Sequence, residues 1–216
     1  GKVQVANDAN VTGDVKAGTS VSVGGATVVG GKVGAGTTAA FTGPADIRGD
    51  VTAGGAIAFQ NTAALGGNAA GEGVTLNGAV TLNGAGNQSI EAGAGTLQAN
   101  STVTKTTAGN LSLGGDAGVN AVGAVGVNAG DLTVNDALNA GSSVSASGNV
   151  NLQNATVAGA ITAAAGDVNG LAVNAASVNA GGNVTVASVS AGSVTATAGK
   201  VQVANDANVT GDVKAG

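Results

Sequence analysis

Apolar residues along this chain fall in pairs two positions apart, and the pairs recur about every six residues: Val3 and Val5, Ala9 and Val11, Val15 and Ala17. A spacing of two puts both side chains on one face of a strand. Each trio of pairs therefore predicts three short strands turned toward a common interior. Glycines such as Gly13, Gly18, Gly31 and Gly36 stand between the pairs, where a sharply turning backbone favours a residue without a Cβ. Three strands and three corners make one triangular coil of about 18 residues.

Stepping along the sequence by that period keeps the chemistry of each column. One column reads Val3, Val21, Ala39, Ile57 and the next Val5, Val23, Phe41, Phe59. Val11, Val29 and Ile47 form a third, and Val15, Val33 and Val51 a fourth. Thr27 is a polar intruder between Ala9 and Ala45, acceptable in a strand if its hydroxyl finds a backbone acceptor. Stacked coils pair strand on strand in parallel, advancing about 4.8 Å per coil. The predicted fold is all-β: one parallel β-helix, or β-solenoid, spanning residues 1–216 in about twelve coils. Phrases such as NLSL (110–113), DLTV (131–134), NVNL (149–152) and NVTV (183–186) are read as later coil openings. Coils are expected to start at 2, 19, 37, 55, 74, 96, 110, 131, 149, 167 and 183, with the twelfth at 200. The stretch from 67 to 130 fits the period least well.

The first eighteen residues, GKVQVANDANVTGDVKAG, return unchanged at 199–216. The copy is one coil long, and its offset of 198 residues equals eleven coils of average length. Residues 2–199 then read as one block of a tandem array, and 200–216 as the first coil of the next block. No amphipathic capping helix is visible at either end, and uncapped solenoid ends expose strand edges suited to continuation. Self-association end to end is the expected partnership.

The phrases AGNLSL, AGDLTV, SGNVNL and AGGNVTV resemble the haemagglutinin repeats of filamentous-haemagglutinin-type exoproteins, bacterial adhesins secreted by an outer-membrane partner. The resemblance implies a right-handed parallel β-helix, export, and a place at the cell surface. The hexad spacing of residues 3–59 also resembles left-handed hexapeptide helices; the general rule for parallel crossovers selects the right-handed form. The secretion domain that begins such adhesins is not present in this sequence. The chain opens on Gly with no charged-then-apolar leader, and reads as part of something longer.

Composition narrows the role. Forty of 216 residues are Gly, only Phe41 and Phe59 are aromatic, and Cys, Met, Trp, Tyr and His are absent. Such a chain fills a narrow bore with Ala, Val and Leu; its regularly placed β-branched residues argue against disorder. A net charge of −5 with seven scattered basic residues disfavours nucleic acid, whose binding depends on Lys and Arg at phosphates. No apolar run is long enough to span a bilayer as a helix. Without His or Cys there is no Ser-His or Cys-His pair and no usual zinc ligand set. No cofactor is implied: GGDAG (114–118) does not repeat as a calcium-binding nonapeptide would, and no Gly-Lys-Ser/Thr loop is present. Asp131 and Asp136 are the nearest approach to a carboxylate pair, and the reading is non-catalytic.

One charged column stands out. Asp14, Lys32 and Asp50 are eighteen apart, so alternating signs would face each other one coil apart and mark the register. Two functional readings remain: an adhesin or filament shaft, and a flat-faced module for glycan or ice. The second would need a regular exposed Thr array; TATAG and TKTT are isolated.

Overall fold

The computed structural model describes residues 1–216. Every regular element is a β-strand, there is no helix, and every pairing is parallel. The chain is a β-solenoid of about twelve turns, each with three walls. Val3–Val5 begins the first wall, Ala9–Val11 the second and Val15–Ala17 the third.

Alternation explains the walls. In Leu132–Val134 the outer two residues are buried and Thr133 points outward, because a period of two separates inside from outside on a strand. The inward residues form one continuous hydrophobic core of 55 buried residues running along the axis. The four predicted columns stack as expected: Val3 on Val21 and Val5 on Val23, Val11 on Val29, Val29 on Ile47, and Val15 on Val33 on Val51. Ala39 links Val21 to Ile57. Phe41 and Phe59 are stacked, with centroids 4.9 Å apart and planes 9° from parallel. Thr27 is buried, and its hydroxyl donates to the Gly25 carbonyl at 3.3 Å.

Coil length is less uniform than the opening turns imply. Val3, Val21, Ala39 and Ile57 are spaced by 18, but Val74 pairs with Leu97, 23 residues on. The surplus lies in the corners, and all positive-φ glycines (Gly86, Gly93, Gly109, Gly118 and Gly130) fall between residues 74 and 130. Later coils tighten, and Val173 pairs with Val189, only 16 residues on. There the strands run unbroken round the corners, as Val168–Ala180 and Val184–Ala196.

This variation corrects the coil starts. Residues 97–99 lie on the first wall and 103–108 on the second, and Leu111–Gly114 completes that turn on the third. NLSL, DLTV, NVNL and NVTV are therefore third-wall strands, not coil openings. The 198-residue offset is correspondingly not a whole number of turns. Ten turns carry the first wall from Val3 to Val189. Val201–Val203 comes two walls later, paired with Val184–Val186 on the third wall. The repeated eighteen residues thus still supply three strands, but those strands sit one wall out of step with their first copy.

Candidate assembly surfaces

The Asp14, Lys32, Asp50 column exists, at the corner before the third wall, and belongs to a longer ladder. The Lys32 ammonium pairs with Asp50 at 2.9 Å. Asp14 instead turns its carboxylate to the backbone, with its Oδ1 accepting from the Lys32 N–H at 2.7 Å. Asp50 Oδ1 accepts likewise from the Asn68 N–H at 3.0 Å. The pattern resumes up the column: Asn87 accepts from Asn110, Asn110 from Asp131, Asp131 from Asn149, Asn149 from Asp167, Asp167 from Asn183 and Asn183 from Lys200, all at 2.6–3.0 Å. Asn and Asp suit this position because their short side chains reach a nearby main-chain N–H. At a corner, where the strand ladder breaks, that N–H needs a partner.

The electrostatics follow from the same contacts. The hydrogen bond and charge of Asp50 raise the Lys32 pKa, and the Asn68 N–H, then Lys32, lower that of Asp50. Because Lys32 is well exposed, the pair is a register mark more than a source of stability. Asp131 and Asp136 sit at different corners of the coil. Asp131 serves the corner ladder, whereas Asp136, at the corner before the first wall, accepts from the Gly115 N–H at 2.9 Å.

The two ends are open. At the first coil Val3, Val5, Val11 and Val15 are only partly covered and line the apolar mouth of the bore with Val21, Val23 and Phe41. At the other end Ala207–Val209 and Val213–Ala215 have neighbours on one side only, and Val213 is 56% exposed. Unpaired N–H and C=O groups there can accept a further parallel strand.

The walls differ from each other. Along the later first wall runs a shallow groove of about 590 Å³ whose outward positions include Asn120, Asn139, Thr156, Asn174, Ser190 and Asn208. Asp206 is the sole charged residue lining it. Successive amides and hydroxyls one strand apart can exchange hydrogen bonds with a hydroxyl-rich ligand lying along the axis.

The interior holds one polar cluster that sequence reasoning missed. Lys105 is fully buried, and its Nζ donates to the Gly84 carbonyl, Gln88 Oε1 and Thr107 Oγ1 at 3.0–3.1 Å. Gln88 Nε2 donates to the carbonyls of Leu65 and Gly67 at 3.0 and 2.8 Å. Both residues sit in the long-cornered coils, where these carbonyls turn inward. Desolvation lowers the Lys105 pKa. Strand parity carried the signal: in VTK (103–105) the lysine shares the inward face with Val103.

No family model, curated protein or solved structure matches this chain. No helix is long and apolar enough to cross a membrane.

Proposed function

We propose that this chain is a structural segment of a bacterial cell-surface or extracellular shaft, a non-catalytic, exported β-solenoid that continues end to end as a tandem array. One observation carries the reading: the coil at 199–216 repeats the coil at 1–18 letter for letter. In the first copy, the edge that faces onward along the chain is occupied by Ser20–Val23, Thr27–Val29 and Val33–Ala35. The same edge of the second copy carries the same residues and is open, so it suits residues 19–36 of a following block. The haemagglutinin-type repeat texture and the scarcity of reactive side chains support the same reading. Electron microscopy of the native protein tests it: long unbranched fibres about as wide as one coil are expected, and discrete short particles at all concentrations oppose it.

The groove on the first wall supports a second reading, binding of a surface glycan along the outer face. A glycan array probed with the full chain separates the two. Saturable binding lost in an N139A/N174A variant favours the module; fibres without glycan binding favour the shaft.

A further inference from the structure

We infer that consecutive 198-residue blocks are rotated against one another by one wall of the triangle, so that the shaft repeats only after three blocks and presents each block's side-chain stripes in three directions. This rests on the tandem-array reading and adds to it the phase at which blocks join. Val3–Val5 lies on the first wall, and the identical Val201–Val203 lies on the third, over Val184–Val186. Ala9–Val11 lies on the second wall, and its copy Ala207–Val209 lies on the first, over Val189–Ala191. Val15–Ala17 lies on the third, and its copy Val213–Ala215 lies on the second, over Val194–Ala196. All three strands agree on the same displacement. A block therefore advances ten and two-thirds turns, about 51 Å at the usual strand spacing, and three blocks advance a whole thirty-two turns.

The side chains at the junction fit this phase. The corner ladder that starts at Asp14 ends with Asn183 accepting from the Lys200 N–H, so the ladder's last acceptor is satisfied by the repeated coil itself. Asp212, the copy of Asp14, then stands at the corner before the second wall, ahead of Val213–Ala215. The ladder thus leaves one corner and restarts at another in each block. The Asn and Thr stripe of the first-wall groove moves in the same way, to the third wall in the next block and the second in the one after. Unrotated blocks would confine the groove and the long glycine corners to one side of the shaft. Rotated blocks distribute both evenly, giving a shaft whose contacts with identical neighbours or a glycan surface do not depend on which side it turns.

The absence of Cys makes paired cysteines a clean test in the full chain. Outward residues paired in adjacent parallel strands are close enough for a disulfide. Q4C/S22C and T185C/Q202C follow the observed pairs, whereas S190C/Q202C would pair only if the second copy returned to the first wall. Peptide mapping after mild oxidation should show the first two disulfides near completion and the third absent. Crosslinking of S190C/Q202C with T185C/Q202C left reduced overturns the rotation. A chain in which residues 1–198 precede a full 1–216 tests the underlying reading separately. One straight rod of about 107 Å by electron microscopy supports it. Two jointed rods of about half that length overturn the continuous array, and the crosslinks still decide the phase of the repeated coil.

Discussion

The stacked rings of Phe41 and Phe59 are the bulkiest contact between two neighbouring coils, and a double-mutant cycle measures whether those coils pack as described. Both rings are at most 1% exposed, with centroids 4.9 Å apart and planes 9° from parallel. Truncating one to alanine opens a cavity in a bore with no flexible Met to fill it, so F59A should cost about 3–5 kcal/mol. Two alanines would leave cavities that merge along the axis, so the cycle is better run with leucine, which fills more of the space and removes only the ring–ring contact. Each single Phe→Leu change should cost on the order of 1.5 kcal/mol or less. The F41L/F59L double variant should then be less destabilised than the sum of the singles by about 0.5–1.5 kcal/mol, the range for an aromatic pair beyond its buried area. Urea unfolding followed by far-ultraviolet circular dichroism supplies the values, since the chain has no Trp or Tyr to report by fluorescence. Additivity within about 0.3 kcal/mol, as for residues that do not touch, would refute the stacking of these coils.

Other perturbations probe the ladder, the buried lysine and the corners. N149A removes the acceptor of the Asp167 N–H and should cost about 1 kcal/mol in urea unfolding. N149D keeps an acceptor but sets a carboxylate between Asp131 and Asp167; its loss should shrink as salt is raised from 10 mM to 0.5 M, and an unchanged loss would contradict the ladder. Because desolvation lowers the Lys105 pKa from 10.5, the unfolded chain binds the proton more tightly between the folded and unfolded values. Stability should therefore rise with pH across the alkaline range below 10.5, and K105M should flatten that rise; parallel pH profiles for both proteins would remove the buried cation from the account. At Gly109 φ is +120° and an added Cβ would lie 2.1 Å from the Gly86 carbonyl oxygen, so G109A should lower the melting temperature by several degrees. At Gly34 nothing lies closer than 3.7 Å, and G34A should be neutral or slightly stabilising; equal losses at both sites would contradict the corner geometry.

Much of this architecture is legible in the sequence because the first three coil-to-coil steps hold a constant period. Val11, Val29 and Ile47 can be aligned by counting, and the pairing reproduces that alignment. Counting fails where corners change length, since a corner residue outside the ladder can be added without altering which side chains face inward. The short apparent coil at 96–109 is two walls of a turn whose third wall is NLSL, and that displacement by one wall concealed the rotation of the repeated coil. The charged column was visible in part: Asp14, Lys32 and Asp50 announce themselves by sign, but the neutral Asn residues that continue the ladder act through the backbone and leave no charge pattern. Lys105 was missed because a lysine in a polar-looking VTKTT run suggests an outer surface, although parity places it inside.

The spacing of coils along the axis can be measured directly by pulsed electron–electron distances between nitroxides on the outward positions of the second wall. Asp46, Thr104, Ser145 and Thr195 occupy that wall on the third, sixth, eighth and eleventh turns. Labels at 46 and 104 should lie about 14 Å apart, at 46 and 145 about 24 Å, and at 46 and 195 about 38 Å, linear in the number of turns at about 4.8 Å each. Distances that fail to grow with turn number, or that place residue 195 nearer to 46 than residue 145 is, would contradict a chain wound once per turn around a single bore.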